Sequence, residues 1–360
     1  MHMRRRSNPP SRPGGGQRGF GPRSIGLLLL GAGALAGCAP AAAAAPRPDV
    51  AAQQAPVLDG DCAALFPDAL VSEVLGTTVT AQGRFVDSPI QHAVPTLGGL
   101  GCEWAAPIGT DGSANTPSLS AVVLSSTLAA TEPTDVICSA GAVTATSDDA
   151  LACRFGVVAD DLWLSGVAYA PAGTPEDDIR SMAAELSDAF RGLPAGPVEP
   201  GPLLPDTAWV APDCAELSSA ADMAEVLDSP DLVGYDVATS GDGAAEGLRA
   251  AQVAAGAFAC AWIHAGPTPA GQRDGFSVLG LPGGAWAQTE VLAIPGASVV
   301  DIPGVGLAVR VPTAVGHDMV DVFDGVNWVQ IMAAGSLEPV LPALPALLDA
   351  LAVDTGAARR

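Results

Sequence analysis

No lysine occurs in the 360 residues; all sixteen basic side chains are arginine, against 39 acids and a formal charge of −23. That removes lysine-based Schiff-base and phosphate-loop chemistry at the outset. Charged residues make up only 15% and aromatics 4% (6 Trp, 2 Tyr, 8 Phe). The acidic balance excludes the basic footprint of a nucleic-acid binder, so no nucleic acid is expected as a partner. Among motifs, the chain has no Cys-x-x-Cys, no His-Glu-x-x-His, no Gly-x-Ser-x-Gly and no Gly-rich loop before a lysine. Redox, zinc-protease, serine-hydrolase and nucleotide-triphosphate readings therefore lack their usual signatures. What is present is small: 42 Gly, 32 Pro and an apolar share of 49%, much of it alanine, enough for packed cores.

Residues 1–24 carry Arg4, Arg5, Arg6, Arg12, Arg18 and Arg23 and no acid, and an apolar run follows from Ile25 to Gly37. Thirteen residues are too few for a helix to cross roughly 30 Å of hydrocarbon. A basic stretch, a short apolar stretch and small residues describe a secretory signal. The run ends Leu35-Ala36-Gly37-Cys38, which resembles the lipobox of bacterial lipoproteins. That resemblance implies a diacylglyceryl (palmitate-bearing) thioether on Cys38 and cleavage before it, whether export is by the Sec or the twin-arginine route. Removing 1–37 leaves 10 arginines against 39 acids, a charge of −29. An anionic body is repelled by anionic headgroups, so the lipid does the anchoring.

Six further cysteines remain: Cys62, Cys102, Cys138, Cys153, Cys214 and Cys260. An even number in an exported chain predicts three disulfides. An internal repeat narrows the pairing. Asp61-Cys62-Ala63-Ala64-Leu65 returns as Asp213-Cys214-Ala215-Glu216-Leu217, and eight of the fifteen positions from 61 to 75 are identical 152 residues later. Cys102-Glu103-Trp104 matches Cys260-Ala261-Trp262, Leu151–Arg154 matches Leu307–Arg310, and Leu162-Trp163-Leu164 resembles Asn327-Trp328-Val329. Each copy then has one helix-start cysteine and one Cys-x-Trp cysteine, predicting Cys62–Cys102 and Cys214–Cys260. Cys153 aligns with Val309, so Cys138–Cys153 reads as an addition to the first copy.

The expected fold class is α+β: two repeated units, each an antiparallel sheet with an N-terminal helix and a closing C-terminal helix. Strands are predicted at 100–105, 118–125, 151–158, 162–170, 276–281, 306–311, 319–323 and 328–333. The first closing helix has Thr174 as its cap, Pro175 at its first position, three acids in its first turn, and an apolar stripe of Ile179, Met182, Ala183, Leu186 and Phe190. In the second copy Ser218 and Ser219 are read as helix caps, and a closing helix is expected from Pro345 to Ala352. The organisation is a leader at 1–37, an Ala/Pro-rich tether at 38–57, a first unit at 58–193, a Pro-rich linker at 194–207, a second unit at 208–353 and a tail at 354–360.

This combination of lipobox, tether, Asp-Cys-x-x-Leu helix start and later Cys-x-Trp resembles a group of actinobacterial cell-envelope lipoproteins classed as a domain of unknown function. The likeness covers both halves, about 295 residues, although that group usually has a single unit. A more distant similarity is to the disulfide-bonded extracellular sensor domains of actinobacterial serine/threonine kinases, which carry a cleft. Neither resemblance supplies catalytic residues.

Candidate chemistry is sparse. His264 continues the face of Cys260 and Trp262, and His317-Asp318 point to opposite faces of a strand. Asp148-Asp149, Asp160-Asp161 and Glu176–Asp178 read as solvated turn or helix-start acids. Asp318, Asp321 and Asp324 lack the spacing of a calcium loop. Trp104, Trp262, Trp163 and Trp328 form repeat-related pairs and are assigned to cores. Trp209 and Trp286 have no counterpart and are the candidate ligand-lining residues. No catalytic residue, metal or cofactor is expected. The reading is a non-enzymatic lipoprotein on the extracytoplasmic membrane face, binding an envelope ligand or partner. The alternatives are an accessory or sensory subunit acting by contact with another membrane protein, and an uncharacterised hydrolase.

Overall fold

Two antiparallel sheets, each carried by one copy of the repeat, organise the computed structural model. It describes residues 55–82, 88–106, 117–129, 136–140, 151–170, 173–193, 204, 208–226, 232–237, 246–264, 275–313, 318–333, 336–338 and 340–357. The leader, Cys38, most of the tether, most of the linker, Asp148-Asp149 and His317 lie outside the described residues.

In the first unit, α1 (Cys62–Leu65) and α2 (Asp68–Leu75) lead to β1 (Thr80–Ala81), α3 (Ala93–Thr96), β2 (Leu100–Ala105), β3 (Ser118–Ser125), β4 (Ile137–Ala140), β5 (Leu151–Ala159), β6 (Leu162–Ala170) and α4 (Glu176–Arg191). The second unit has α5 (Cys214–Ala220), α6 (Met223–Val226), β7 (Leu232–Asp236), α7 (Glu246–Ala254), β8 (Phe258–His264), β9 (Phe276–Leu281), α8 (Gln288–Leu292), β10 (Ser298–Val300), β11 (Leu307–Pro312), β12 (Asp318–Phe323), β13 (Trp328–Ala333) and α9 (Leu344–Ala357). The sheet orders are β1-β2-β3-β6-β5-β4 and β10-β11-β12-β13-β9-β8-β7. Read from opposite ends they coincide strand for strand, with β10 an extra edge. The chain is therefore α+β and duplicated.

The register corrects one part of the repeat alignment. Leu124 pairs with Trp163 and Leu281 with Trp328, so the two tryptophans are equivalent. Trp163 in turn pairs with Val158, and Trp328 with Phe323. The counterpart of β5 is therefore β12, and Cys153 corresponds to Asp318, not to Val309. Leu307–Arg310 lies in β11, the counterpart of β4. The facing agrees: Cys153 points into its own unit's core, whereas Val309 points the other way. A four-residue match misled the alignment because α8 and β10 are inserted ahead of β11.

Capping also differs locally. Asp61 and Asp213 hold the first N–H groups of α1 and α5, through Ala63 at 2.9 Å and Ala215 at 2.8 Å. Ser218 and Ser219 lie inside α5, not at a cap. Pro175, not Thr174, stands at the cap position of α4. α9 runs longer than expected, from Leu344, preceded by a 3-10 turn at Leu341–Ala343.

Each sheet packs one face against its own helices. On the first, Leu100, Trp104, Leu119, Val123, Phe155 and Leu164 meet Ile179, Leu186 and Phe190 of α4. On the second, Trp262, Val278, Val322 and Ile331 meet Leu344, Leu347 and Leu351 of α9. Three disulfides are formed: Cys62–Cys102, Cys138–Cys153 and Cys214–Cys260. The first and third tie a helix start to the Cys-x-Trp strand of the same unit.

The other faces of both sheets line a third, shared core. Val122, Leu124, Trp163 and Val167 come from the first sheet; Leu281, Val309, Met319, Phe323 and Trp328 come from the second. Between them lie Ala93 and Val94 of α3 and Ala251 of α7. One middle helix crosses between the units, whereas α3 packs on β2 of its own sheet and against α7. α7, from the second unit, packs on β3 and β6 of the first sheet. The described residues from 55 to 357 accordingly belong to one compact body.

Gly247 sets how closely α7 approaches. Its N–H donates to Ser165 Oγ at 2.9 Å, and an added Cβ would lie 2.9 Å from Ser165 Cβ and 3.2 Å from Val122 Cγ1. Both neighbours are anchored on strands. Gly247→Ala should therefore push α7 off the first sheet and cost about 1–3 kcal/mol in urea unfolding. An unchanged midpoint would show that the helix has room to spare.

Candidate functional site

Among the buried polar groups of the shared core, Asp321, Gln330 and His92 come together around Trp328. β12 and β13 place Asp321 opposite Gln330 on the face that also carries Trp328 and Phe323. Asp321 is 1% exposed; its Oδ1 accepts from Trp328 Nε1 at 2.8 Å and from Gln330 Nε2 at 3.1 Å. Burial pushes its carboxyl up to about 6, and the two hydrogen bonds and the charge of His92 offset part of that rise.

His92 enters from the first unit. It stands at the start of α3, is 1% exposed, and lies between two indoles of the second unit. Its ring centroid is 4.7 Å from that of Trp328, edge-on, and 5.5 Å from that of Trp286. Its Nδ1 is 3.1 Å from the Ser88 carbonyl oxygen and its Nε2 is 3.3 Å from Glu290 Oε2. Both ring nitrogens thus face oxygen atoms. Glu290, on α8, has its side chain 33% exposed and leads from this buried imidazole to solvent.

Around the same histidine, four buried polar atoms have no hydrogen-bond partner: Ser88 Oγ, Gln91 Oε1, Gln252 Oε1 and Trp286 Nε1. Gln252, on α7, is fully buried, and its Nε2 donates to the Ile90 carbonyl at 3.4 Å. Such atoms are costly to bury unless water or a ligand meets them. The set offers one indole donor, two amide acceptors and a hydroxyl. It suits a molecule bearing hydroxyl or amide groups better than a hydrocarbon tail.

The residues singled out from the sequence fall in different places. Trp286 is half-buried against His92, in the short 3-10 turn before α8. Trp209 is in the core of the second unit, and its N–H donates to Asn327 Oδ1 at 3.0 Å. Trp104 and Trp262 each share a core with their own disulfide, whereas Trp163 and Trp328 face the shared core. Asp318, Asp321 and Asp324 do not converge. Asp318 accepts from Arg310 Nη2 and from the Leu337 N–H, both at 2.9 Å, while Asp324 holds the β12–β13 turn through the Val326 and Asn327 N–H groups. Asp321 points to the opposite face. His264 ends β8, opposite Leu232.

Among the described residues one grouping has metal-ligand proximity, Cys214, Asp236 and Cys260, but both sulfurs are spent in a disulfide. A further half-buried set, Glu103 and Tyr169, lies on the first sheet's shared-core side, and burial raises both groups.

Sequence reasoning missed His92, Asp321, Gln330, Gln252 and Glu290. Asp321 did carry a signal, as the lone acid inside the apolar run Met319–Phe323. His92 carried none, because its surroundings come from about 200 residues away.

No family model matches the chain, and no curated protein matches it. Among solved structures, the di-domain ARO/CYC StfQ from the steffimycin biosynthetic pathway aligns over 81% of this chain and 92% of that chain, at 13% identity and a TM-score of 0.15.

Proposed function

We propose that the protein is a lipid-anchored lipoprotein of the extracytoplasmic membrane face that binds a polar envelope ligand without transforming it. The supporting observation is the polar seam around His92, where four unpartnered buried atoms from both units surround one imidazole. Three disulfides accord with an oxidising compartment. The lipobox-like Leu35–Cys38 supplies the anchor, and no helix among the described residues is long and apolar enough to cross a membrane. The likeness to envelope lipoproteins points the same way. For catalysis, His92 has Glu290 beside it but no nucleophile among its described hydrogen-bond partners, which favours recognition over turnover.

Anchorage and binding are tested together in intact cells. An alkyne-tagged fatty acid should label the chain and keep it with membranes, and Cys38→Ala should lose both label and retention. A photo-crosslinking residue in place of Trp286 should capture a low-mass glycan or peptide fragment of the envelope. Reproducible capture of a single protein instead would favour the accessory-subunit reading. Turnover of a generic ester or peptide by the wild type, lost in His92→Gln, would defeat both.

A further inference from the structure

The three disulfides are not equivalent. Cys62–Cys102 and Cys214–Cys260 join a helix to a strand, with Cα atoms 5.7 Å and 5.5 Å apart, and all four residues are buried. Cys138 and Cys153 instead face each other directly across the antiparallel pair β4–β5, with Cα atoms 4.0 Å apart. The usual Cα separation spans about 4.4–6.8 Å, and bridges forced outside it are more readily reduced.

Position adds to this. Among the described residues β4 is an edge strand, paired with β5 alone. Cys138 is half-buried beside Ile137, which is 54% exposed, whereas Cys153 is fully buried. Cys138, only partly buried where it packs on the first unit's core, is the more accessible end of the bond and the end a thiolate would attack. The second unit shows that the sheet does not need the bond. There the counterpart of Cys153 is Asp318, paired with Pro312, and the strand equivalent to β4 is covered by β10. In the first unit no described strand covers β4. Its attachment besides β5 includes Arg180 of α4, whose Nη1 donates to the Val136 carbonyl at 2.7 Å. The bond closes the shortest loop of the three, 15 residues against 40 and 46. Opening it releases the least chain.

We propose that Cys138–Cys153 is a redox-exchangeable disulfide that controls the β4 edge of the first sheet, and that its reaction partner is a dithiol. In the first step a dithiol thiolate attacks Cys138 Sγ. A mixed disulfide forms, the Cys138–Cys153 bond breaks, and the Cys153 thiolate leaves and takes a proton. The second thiol of the reductant then attacks the mixed disulfide. This releases Cys138 as a thiol and the reductant as its own disulfide, two electrons and two protons having passed to the protein. With β4 untied, the hydrogen-bonding edge of β5 becomes available for pairing.

The test equilibrates the secreted, oxidised chain with graded ratios of reduced to oxidised dithiothreitol, traps free thiols by alkylation and reads each cysteine by mass spectrometry. Cys138 and Cys153 should open together at a ratio at least tenfold less reducing than the other two pairs. Under those conditions thermal unfolding should remain a single transition, and faster amide exchange should be confined to residues 136–140 and 151–154. Simultaneous opening of all three bonds, or Cys138–Cys153 opening last, would overturn the proposal. The double variant Cys138→Ser/Cys153→Ser should fold and show the same local exchange. Failure of that variant to fold would make the bond structural and also overturn it.

Discussion

Trp328→Ala is expected to lower the stability of the whole body by about 3–5 kcal/mol, as for other buried tryptophans cut to alanine. The indole is fully buried in the shared core, stacked on Phe323 at 5.6 Å and met edge-on by His92 of the other unit at 4.7 Å. Its removal leaves a cavity that neither sheet can close alone. It also deletes one of the two donors to Asp321 Oδ1, so the carboxyl keeps only Gln330. Because the shared core is built from both copies, urea unfolding should stay a single transition at a lower midpoint. Two separated transitions, with only the second unit affected, would show that the copies are independent. Trp328→Phe should recover packing but not the hydrogen bond, and so fall between the two.

Asp321→Asn should raise stability at pH 7.5 by up to about 3 kcal/mol and change little at pH 4. The carboxyl is raised from 3.8 to about 6 in the folded state. Between those values the folded protein binds more protons than the unfolded chain, so this group's contribution falls as pH rises from 4 to 6 and stays low above that. About 2 pH units at 1.4 kcal/mol each gives the magnitude. Asparagine keeps an oxygen for Trp328 and Gln330 without a charge to bury. The measurement is urea unfolding of both proteins at pH 4, 5, 6 and 7.5, and the difference should grow with pH. A difference independent of pH, or a variant less stable at 7.5, would show that ionisation of Asp321 does not limit stability.

The fold was largely legible. Alternation placed β2, β3, β5, β6, β9, β12 and β13 to within a residue or so, and the Cys-x-Trp pairs carried the duplication. α3 and α7 were not visible in the sequence. α3 is four residues long, and α7 is alanine-rich with its apolar face turned to a sheet in the other half. Repeat matching placed Trp163 against Trp328 correctly because a tryptophan pair is rare. It failed at Leu151–Arg154 because a match of only four strand residues recurs by chance. The acids at 318, 321 and 324 looked like one group at a spacing of three. On a strand that spacing alternates faces, and it sent Asp321 alone into the core. Trp286 was noticed because it lacked a repeat partner; His92, its neighbour, needed the tertiary structure.

The crossing of α7 and the shared core have a consequence for symmetry. A single copy of this unit would leave one sheet face bare, as would one half of a two-fold homodimer. Joining two copies in one chain fixes their stoichiometry and leaves the two halves free to diverge. They have done so at equivalent positions: Gly156 and Ser165 on one side, Asp321 and Gln330 on the other. A symmetric dimer would have to carry a buried carboxylate twice or not at all. A single chain carries it once, and so gives an otherwise duplicated body one asymmetric polar locus.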